Sequence, residues 1–426
     1  MTNQTNTIPK GWKMTTLGEV FHVKHGYAFS GEGITNKENR NILLTPGNFF
    51  VGGGWKDGKK FFIGEIPADY LLKNDDLVIT MTDLSKDGDT LGFPALVPSN
   101  QNKNYLHNQR IGLVNINENL NSKKFIYFFL RTTNYQRYIV NTASGSTVRH
   151  TSPAKIESYK TILPPLPEQR AIAAVLSSFD DKIELLREQN KILETTAQTI
   201  FKEWFVKFNF PGATEKMIDS ELGKIPEGWR VGGLIEDGIS EFVKTNIDEF
   251  EGVKDYIETA NVNLSSLVGS FEKITYFKRP SRANMQPVPN SFWFARMAES
   301  RKYLLFQEKD KQDIETKILS TGFAGIKCIK EYLYFYWCFI LSDMFNNLKN
   351  QYADGAVQVA ISNDGIKKIM FVLPPKNLAE KFTKTVEACF EKISNNISQI
   401  QTLSNLRDTL LPKLMEGEVR VKGFNN

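Results

Sequence analysis

An ordered set of motifs occurs twice in the sequence, and this repeat limits the possible fold more than any other feature. The motifs of the first half recur in the second: IPKGW at 8–12 as IPEGW at 225–229, ASG at 143–145 as ADG at 353–355, and LPP at 163–165 again at 373–375. One short match arises easily by chance, but three in the same order indicate an internal duplication. The sequence therefore predicts two similar halves.

Each half contains a variable segment of mixed α/β character. Apolar stretches such as DLVITM at 76–81 alternate with turns rich in Gly, Asn and Pro, as in strands that are separated by loops. An aromatic run closes each segment, at 124–140 and at 334–350, and we interpret it as a buried helix whose rings pack in a core. The fold class predicted is α/β (α+β), with two similar globular domains.

A long helix is predicted after each LPP motif. Apolar residues recur every three or four positions from Ile172 to Trp204 and from Phe382 to Leu414, and this period of about 3.5 residues is typical of a coiled coil. We expect the first helix to begin at Pro167 and end near Lys207. Residues 377–380 have the spacing of a capping box for the second helix.

Antiparallel pairing of the two helices explains the polar residues in both seams. With Asn190 opposite Asn396, the two amides satisfy each other and fix the register at some cost in stability. Only Phe179 then faces a charged residue, Arg407, which could stack on the ring. The predicted helix-pairing contacts are Leu176 with Leu410, Ile183 with Leu403, Asn190 with Asn396, and Leu193 with Ile393. A parallel dimer of two chains, with Asn190 facing its own copy, is the alternative.

The repeat and the helices divide the chain into four segments. Residues 1–160 form the first globular domain, and 161–210 form the central helix. Residues 211–370 form the second globular domain, and 371–426 form the C-terminal helix and tail. The two domains are then separated by a pair of long antiparallel helices and related by a pseudo-twofold internal repeat.

Motifs of catalysis, metal binding and membrane insertion are missing from the sequence. GGWKDGKK at 53–60 approaches a phosphate-binding P-loop, but Lys60 stands where that motif needs Ser or Thr. There is no CxxC, HExxH, GxSxG or GxGxxG motif, and no Asn-Pro-Pro-aromatic or Asp-Pro-Pro-aromatic tetrapeptide of an amino-methyltransferase. We expect a cytoplasmic, non-catalytic chain without a metal ion or cofactor of its own, because leader, apolar span and clustered cysteines are also missing.

A positive surplus in the variable segments points to an anionic partner. The net charge is +5, and the segments 271–302 and 123–160 are strongly basic, whereas the first long helix is balanced. Cations, hydroxyls and amides of this kind contact DNA phosphates and bases, although each could instead be a solvated surface group. We predict DNA contacts in the first half from Lys56, Lys59, Lys60, Lys86, Arg110, Ser144, Ser146, Thr147, Arg149 and His150. In the second half we predict them from Lys273, Lys278, Arg279, Ser281, Arg282, Asn284, Arg296, Arg301 and Lys302.

This arrangement resembles the specificity subunit of type I restriction–modification systems. LPPLPEQRAI at 163–172 and FDDKI at 179–183 look like that family's central conserved region, and ASGST at 143–147 resembles the loop that closes its target-recognition domains. The second half departs from this pattern. It has KNLAE at 376–380 in place of LPEQR at 166–170, and its loop at 354–358 lacks the hydroxyls and the arginine.

The resemblance implies a subunit that recognises double-stranded DNA and catalyses nothing itself. Each target-recognition domain would read one half of a split site, and the paired helices would set the gap between the halves. Two methyltransferase subunits that bind S-adenosylmethionine would dock on this scaffold, with Glu168, Gln169 and Arg170 as candidate docking residues. Two motor-nuclease subunits that use ATP and Mg could join them. The alternatives are a stand-alone DNA-binding or architectural protein that dimerises through its coiled coil, and a self-contained DNA-modifying enzyme.

Overall fold

The computed structural model describes residues 8–83, 85, 88–269, 271–355 and 359–424. The chain divides into two compact units. Unit 1 contains residues 1–184 and 400–426, and unit 2 contains residues 185–399. Two long helices each contribute one part to each unit: the central helix, Leu166–Phe201, and the C-terminal helix, Lys376–Met415.

Unit 1 is built on two sheets. The strands of a four-stranded antiparallel sheet lie in the order Phe21–His25, Ile111–Ile116, Leu77–Thr80 and Pro94–Leu96. Those of a five-stranded sheet lie in the order Ile34–Thr35, Phe61–Phe62, Asn41–Leu43, Asn104–Leu106 and Leu71–Leu72. Only the pairing of Asn41–Leu43 with Asn104–Leu106 is parallel in the second sheet. Two further antiparallel pairs join Lys13–Thr16 to Lys160–Leu163, and Thr82–Asp83 to Arg149–His150.

Short helices cover the four-stranded sheet of unit 1. They are Lys123–Phe129, Thr133–Thr142 and Pro153–Glu157. The Ser122 and Ser152 side chains cap the first and third of these helices by accepting hydrogen bonds from backbone N–H groups, as N-cap serines do. Phe125, Phe128 and Phe129 are buried in one core with strand residues such as Leu77, so the predicted core packing of the rings is confirmed. The run at 124–140 forms two helices instead of the single helix predicted.

Unit 2 has the same two kinds of sheet. One has the strand order Ser240–Phe242, Phe323–Cys328, Ser291–Ala295 and Tyr303–Phe306, and the other Glu272–Ile274, Lys254–Ile257, Lys317–Ser320 and Ala283–Met285. Four antiparallel pairs join Met217–Ser220 to Gly223–Pro226, Arg230–Gly233 to Met370–Leu373, Val262–Asn263 to Ser266–Leu267, and Ala353–Asp354 to Ala360–Ile361. The helices are Lys311–Thr316, Leu333–Leu341, Asp343–Gln351 and Asn363–Lys367.

Both units share one topology, which confirms the predicted internal repeat. In the all-antiparallel four-stranded sheet of each unit, the first strand along the chain pairs with the last, which pairs with the second. In each second sheet, one parallel pair is flanked by antiparallel strands. The short helices Pro153–Glu157 and Asn363–Lys367 occupy the same place before the strand that leads into a long helix.

The IPxGW motif packs the start of each repeat against the segment that follows a long helix. Gly11 and Gly228 have φ of +86° and +84°, which favours glycine. In each turn the backbone N–H of the tryptophan donates a hydrogen bond to the carbonyl of the proline three residues before it. In unit 1, a Cβ on Gly417 would lie 3.4 Å from the Trp12 ring. In unit 2, Trp229 packs against Phe208 and Phe210, with ring centroids 5.4 and 5.3 Å away.

Within unit 2 the long helices pair antiparallel in the predicted register. Asn396 Nδ2 donates a hydrogen bond of 2.8 Å to Asn190 Oδ1, and the rings of Trp204 and Phe382 lie 5.7 Å apart. The two asparagines therefore meet within one chain. The alternative parallel dimer, which needs Asn190 opposite its own copy, does not describe this chain.

Within unit 1 the helices also follow the predicted seam, with one difference. Leu176 and Ile183 are buried, but Arg407 does not stack on Phe179 as expected. Instead Arg407 Nη1 donates to Asp180 Oδ1 at 2.6 Å, because a carboxylate is a stronger partner than a ring face for a half-buried guanidinium.

The helix boundaries differ slightly from the prediction. The central helix changes to a π-helical turn at Lys202–Val206. The C-terminal helix begins at Lys376, so Asn377 lies in its first turn and Glu380 pairs with Lys384 at 2.7 Å. The capping box predicted at 377–380 is therefore wrong. The Pro375 carbonyl starts the helix by accepting from the N–H groups of Leu378 and Ala379.

The asparagine layer predicts unequal costs for two single substitutions. Asn396 is fully buried, whereas Asn190 is half-buried. We expect Asn190→Leu to cost about 1–3 kcal/mol, because it leaves the buried Asn396 amide without a partner. Asn396→Leu should cost less, because water can solvate Asn190. A double-mutant cycle on denaturant unfolding checks this, and zero coupling between the two positions would contradict the layer.

Candidate nucleic-acid interface

The P-loop-like stretch of unit 1 is a glycine turn that presents lysines. Gly52, Gly53 and Gly54 have φ of +90°, +87° and +100°, a region that favours glycine, and a Cβ on Gly53 would lie 3.0 Å from Arg131 Cγ. The strand Phe61–Phe62 follows instead of a helix, so the nucleotide-binding geometry is missing. The predicted DNA-contact residues Lys56, Lys59 and Lys60 are all exposed beyond this turn.

A charge network holds this turn in place within unit 1. Arg131 Nε donates to the Gly52 carbonyl at 2.8 Å, and Arg131 Nη1 lies 3.2 Å from Asp180 Oδ2. The other Asp180 oxygen accepts from Arg407. The turn is thereby tied to both long helices. Sequence reasoning missed this network, because its members lie far apart in the chain and no local pattern connects them.

The closing loop of unit 1 is a tight turn with exposed hydroxyls. Ser144 and His150 exchange two backbone hydrogen bonds of 2.9 and 2.8 Å. A Cβ on Gly145 would lie 2.1 Å from the Val148 carbonyl oxygen, so only glycine fits there. The predicted DNA-contact residues in this loop that are exposed are Ser144, Ser146, Thr147 and His150. Arg149 is half-buried. Arg110 is also exposed, and Lys86 lies outside the described residues.

Three of the predicted DNA-contact residues in unit 2 make hydrogen bonds within the fold. Arg296 is held by the Phe323 and Ile361 carbonyls and by Asn363 Oδ1, at 3.2, 3.1 and 2.7 Å, and burial lowers its pKa. Lys302 Nζ donates to the Thr259 carbonyl at 2.6 Å. Asn284 Nδ2 donates to Asn246 Oδ1 at 3.0 Å. These hydrogen bonds hold loops of the fold, and the DNA contacts expected of the three residues stay predictions.

Two further predicted cations of unit 2 lie in ion pairs at the surface. Lys273 pairs with Asp255 at 2.5 Å, and Arg301 pairs with Asp343 at 2.6 Å. Surface pairs of this kind contribute little to stability, and the paired carboxylate offsets the charge that a phosphate would meet.

The remaining candidates of unit 2 share one loop, residues 275–282. Lys278, Ser281 and Arg282 are exposed there. The Arg279 guanidinium lies 4.1 Å from the centroid of the Tyr276 ring and donates to the Tyr276 carbonyl. Phe277 is 82% exposed on the same loop. Sequence reasoning missed Phe277, because an isolated aromatic residue gives no sign of its exposure.

The docking role expected for Glu168 and Gln169 needs correction. Glu168 is fully buried and accepts two hydrogen bonds from Arg420, of 2.8 and 2.7 Å. Gln169 is also buried, and its side chain binds the Ser122 N–H and the Pro164 carbonyl. Only Arg170 of the three is exposed to a partner.

The departure of the second half at this place has a structural explanation. Leu378 and Ala379, which stand where the first half has Glu168 and Gln169, are buried in the core of unit 2. An apolar contact thus replaces the buried ion pair of unit 1.

Other kinds of site are not evident in the described part of the chain. No group of three or more His, Cys, Asp or Glu side chains there could hold a metal ion. Among the same residues, no helix is long and apolar enough to cross a membrane. All three cysteines are free thiols, and burial raises the pKa of Cys328 and Cys338, which makes them poor nucleophiles.

Comparison with known proteins connects this architecture to one kind of protein. The family model described as the type I restriction modification DNA specificity domain matches residues 9–195. The MjaIX specificity subunit of Methanocaldococcus jannaschii is 28% identical over 317 residues, or 70% of this chain and 69% of that protein. The HindI specificity subunit of Haemophilus influenzae is 22% identical over 383 residues, or 76% of this chain and 83% of that protein.

A solved structure has the same fold. The crystal structure of a type I restriction–modification system S subunit from M. genitalium has a TM-score of 0.53 and 17% identity, and the match covers 97% of this chain and 98% of that one. The fold is therefore that of this S subunit. This chain is similar in sequence to the specificity subunits of type I restriction–modification systems, and it shares the fold of one of them.

Proposed function

We propose that this chain is the sequence-specific DNA-recognition subunit of a type I restriction–modification complex, and that each unit reads one half of a bipartite site. The duplicated topology carries this proposal, because each unit presents its own exposed basic loops. In unit 1 these are the lysine-bearing turn at 56–60 and the hydroxyl-bearing loop at 144–150, and in unit 2 the loop at 275–282. Cations and hydroxyls of this kind hold DNA phosphates, whereas base edges carry the specificity.

In this proposal the target-recognition domains are residues 1–160 and 211–370, and residues 161–210 and 371–426 are the spacer helices and the tail. The chain itself catalyses no step. The coiled-coil seam supports the spacer role, because a pair of packed helices is stiffer than a single-chain linker. The same seam argues against a protein that dimerises through its coiled coil, because the two asparagines that would specify such a dimer already pair within the chain.

The partners proposed are two methyltransferase subunits and, in a restriction complex, two motor-nuclease subunits. S-adenosylmethionine, ATP and Mg would bind to those subunits and not to this chain. In unit 2, Leu185 and Ile192 on the central helix are 46% and 65% exposed, and Ile397 on the C-terminal helix is 37% exposed. A contiguous exposed apolar patch marks a protein interface, and we propose that these residues form part of one. They replace Glu168 and Gln169 as our candidate docking residues, beside the exposed Arg170.

Exchange of one domain tests the two-reader proposal. Replacing residues 1–150 by the segment of another family member should change one half of the recognised sequence and leave the other half and the gap unchanged. The readout is the set of sites at which the complex with its methyltransferase subunits methylates adenine in a DNA library. The matched control exchanges residues 211–370, which should change only the other half. A simultaneous change of both halves in either exchange would contradict modular reading.

A further inference from the structure

The loop at 275–282 exposes a large apolar side chain to solvent. An apolar side chain cannot bind a phosphate, so its exposure needs another explanation. Phe277 is 82% exposed, more than any other large apolar residue among those described. Its ring packs edge-on against Tyr276, with centroids 5.3 Å apart and planes at 88°. Tyr276 in turn packs edge-on against Phe250 at 5.8 Å and under the Arg279 guanidinium. The Phe277 ring is therefore supported by packed aromatic side chains.

Positive charge surrounds this aromatic tip. Among the described residues, the side chains of Lys278 and Arg282 have no hydrogen-bond or ion-pair partner, unlike the paired Lys273 and Arg301. Of the basic residues in 271–302, Lys278 and Arg282 thus remain unpaired and exposed on the loop that carries Phe277. An apolar tip flanked by free cations complements DNA, whose base edges lie between two rows of phosphates.

The corresponding loop of unit 1 has the opposite charge. Strand pairing places Phe61–Phe62 and Leu71–Leu72 where unit 2 has Glu272–Ile274 and Ala283–Met285. The segment 63–70 between them has the same length as 275–282, contains Glu65 and Asp69, and has no Lys or Arg. Of these two corresponding loops, the one in unit 2 carries the cation-flanked aromatic tip, and its effect should be confined to one half-site.

The chemistry of the base edges indicates what an apolar tip can read. In the major groove every base presents hydrogen-bond donors or acceptors, and the only apolar group is the C5 methyl of thymine. We propose that Phe277 is a specificity-determining residue that contacts this methyl in the half-site read by unit 2, while Lys278 and Arg282 hold the adjacent phosphates. Arg279 supports the tip through Tyr276. This inference rests on the DNA recognition proposed above and names one feature of the site.

Removal of single methyl groups from the DNA tests the inference. The full chain, assembled with its methyltransferase subunits, is first used to select a consensus from a randomised duplex library. Each thymine of the consensus is then replaced by deoxyuridine, which lacks only the methyl. Wild type should bind about fourfold more weakly at one thymine of the half-site read by unit 2, as expected for one buried methyl. Phe277→Ala should bind the two duplexes equally.

A matched variant and a folding check complete the test. The control is Met344→Ala, at an exposed apolar residue on the helix Asp343–Gln351 of unit 2. This variant should keep the wild-type preference for thymine. Thermal unfolding should be almost unchanged in Phe277→Ala, because Phe277 is 82% exposed, and the same measurement on Met344→Ala, at a residue that is 46% exposed, checks that the control is folded. If Phe277→Ala keeps the fourfold preference, or if no single methyl matters to wild type, the inference is wrong and the two-reader proposal survives. If wild type selects no bipartite consensus, the proposed function fails and the inference fails with it.

Discussion

Replacing Arg420 with leucine should destabilise unit 1 by about 3 kcal/mol. The Glu168 carboxylate is fully buried, and it accepts two hydrogen bonds from Arg420 and one of 3.1 Å from Trp12 Nε1. Without Arg420 a negative charge is left in the interior with a single neutral donor. Such a loss costs about 3–5 kcal/mol, and we expect the lower figure because Arg420 keeps 16% of its side chain in solvent. Hydrogen exchange during urea unfolding measures unit 1 separately from unit 2.

An exposed ion pair supplies the control for this experiment. Arg301 pairs with Asp343 at 2.6 Å at the surface of unit 2, so Arg301→Leu should cost less than about 1 kcal/mol. The double variant Glu168→Leu with Arg420→Leu should recover much of the lost stability, because no buried charge remains. Equal costs for Arg420→Leu and Arg301→Leu would show that the buried pair does not hold the C-terminal tail to unit 1.

Unit 1 should also lose about 3 kcal/mol of stability as the pH falls from about 6.5 to 4. His107 is fully buried, and burial lowers its pKa to about 4. The ring stays neutral in the folded protein, while the unfolded chain takes up a proton below its ordinary pKa of about 6.5. Unfolding therefore binds a proton in this window, so stability is present above it and falls with pH.

The geometry of His107 supports this expectation and defines its control. Nε2 lies 2.9 Å from the Ile111 carbonyl, while Nδ1 is buried without a partner among the described residues, so a second proton would find no acceptor. His107→Gln keeps a donor for Ile111 and removes the titration. It should flatten the pH dependence of unfolding between pH 4 and 6.5. Identical pH slopes for His107→Gln and wild type would contradict a titrating His107.

The sequence by itself determined the features that have a period or a repeat. Three motifs in the same order were enough to predict one topology used twice. The seam spacing was enough to pair Asn190 with Asn396, because heptad geometry fixes which positions face each other once two helices are antiparallel. These features could be predicted because each follows from a pattern within the sequence.

Only the tertiary structure decided which polar side chains remain available at the surface. Lys278 and Lys302 look alike in the sequence, yet one is exposed and the other binds a backbone carbonyl. Glu168 was expected to face a partner, but it is buried against Arg420, which lies 252 residues away in the chain. The physical reason is that hydrogen bonds and burial depend on which distant segments meet, and such contacts leave no periodic trace in a single sequence.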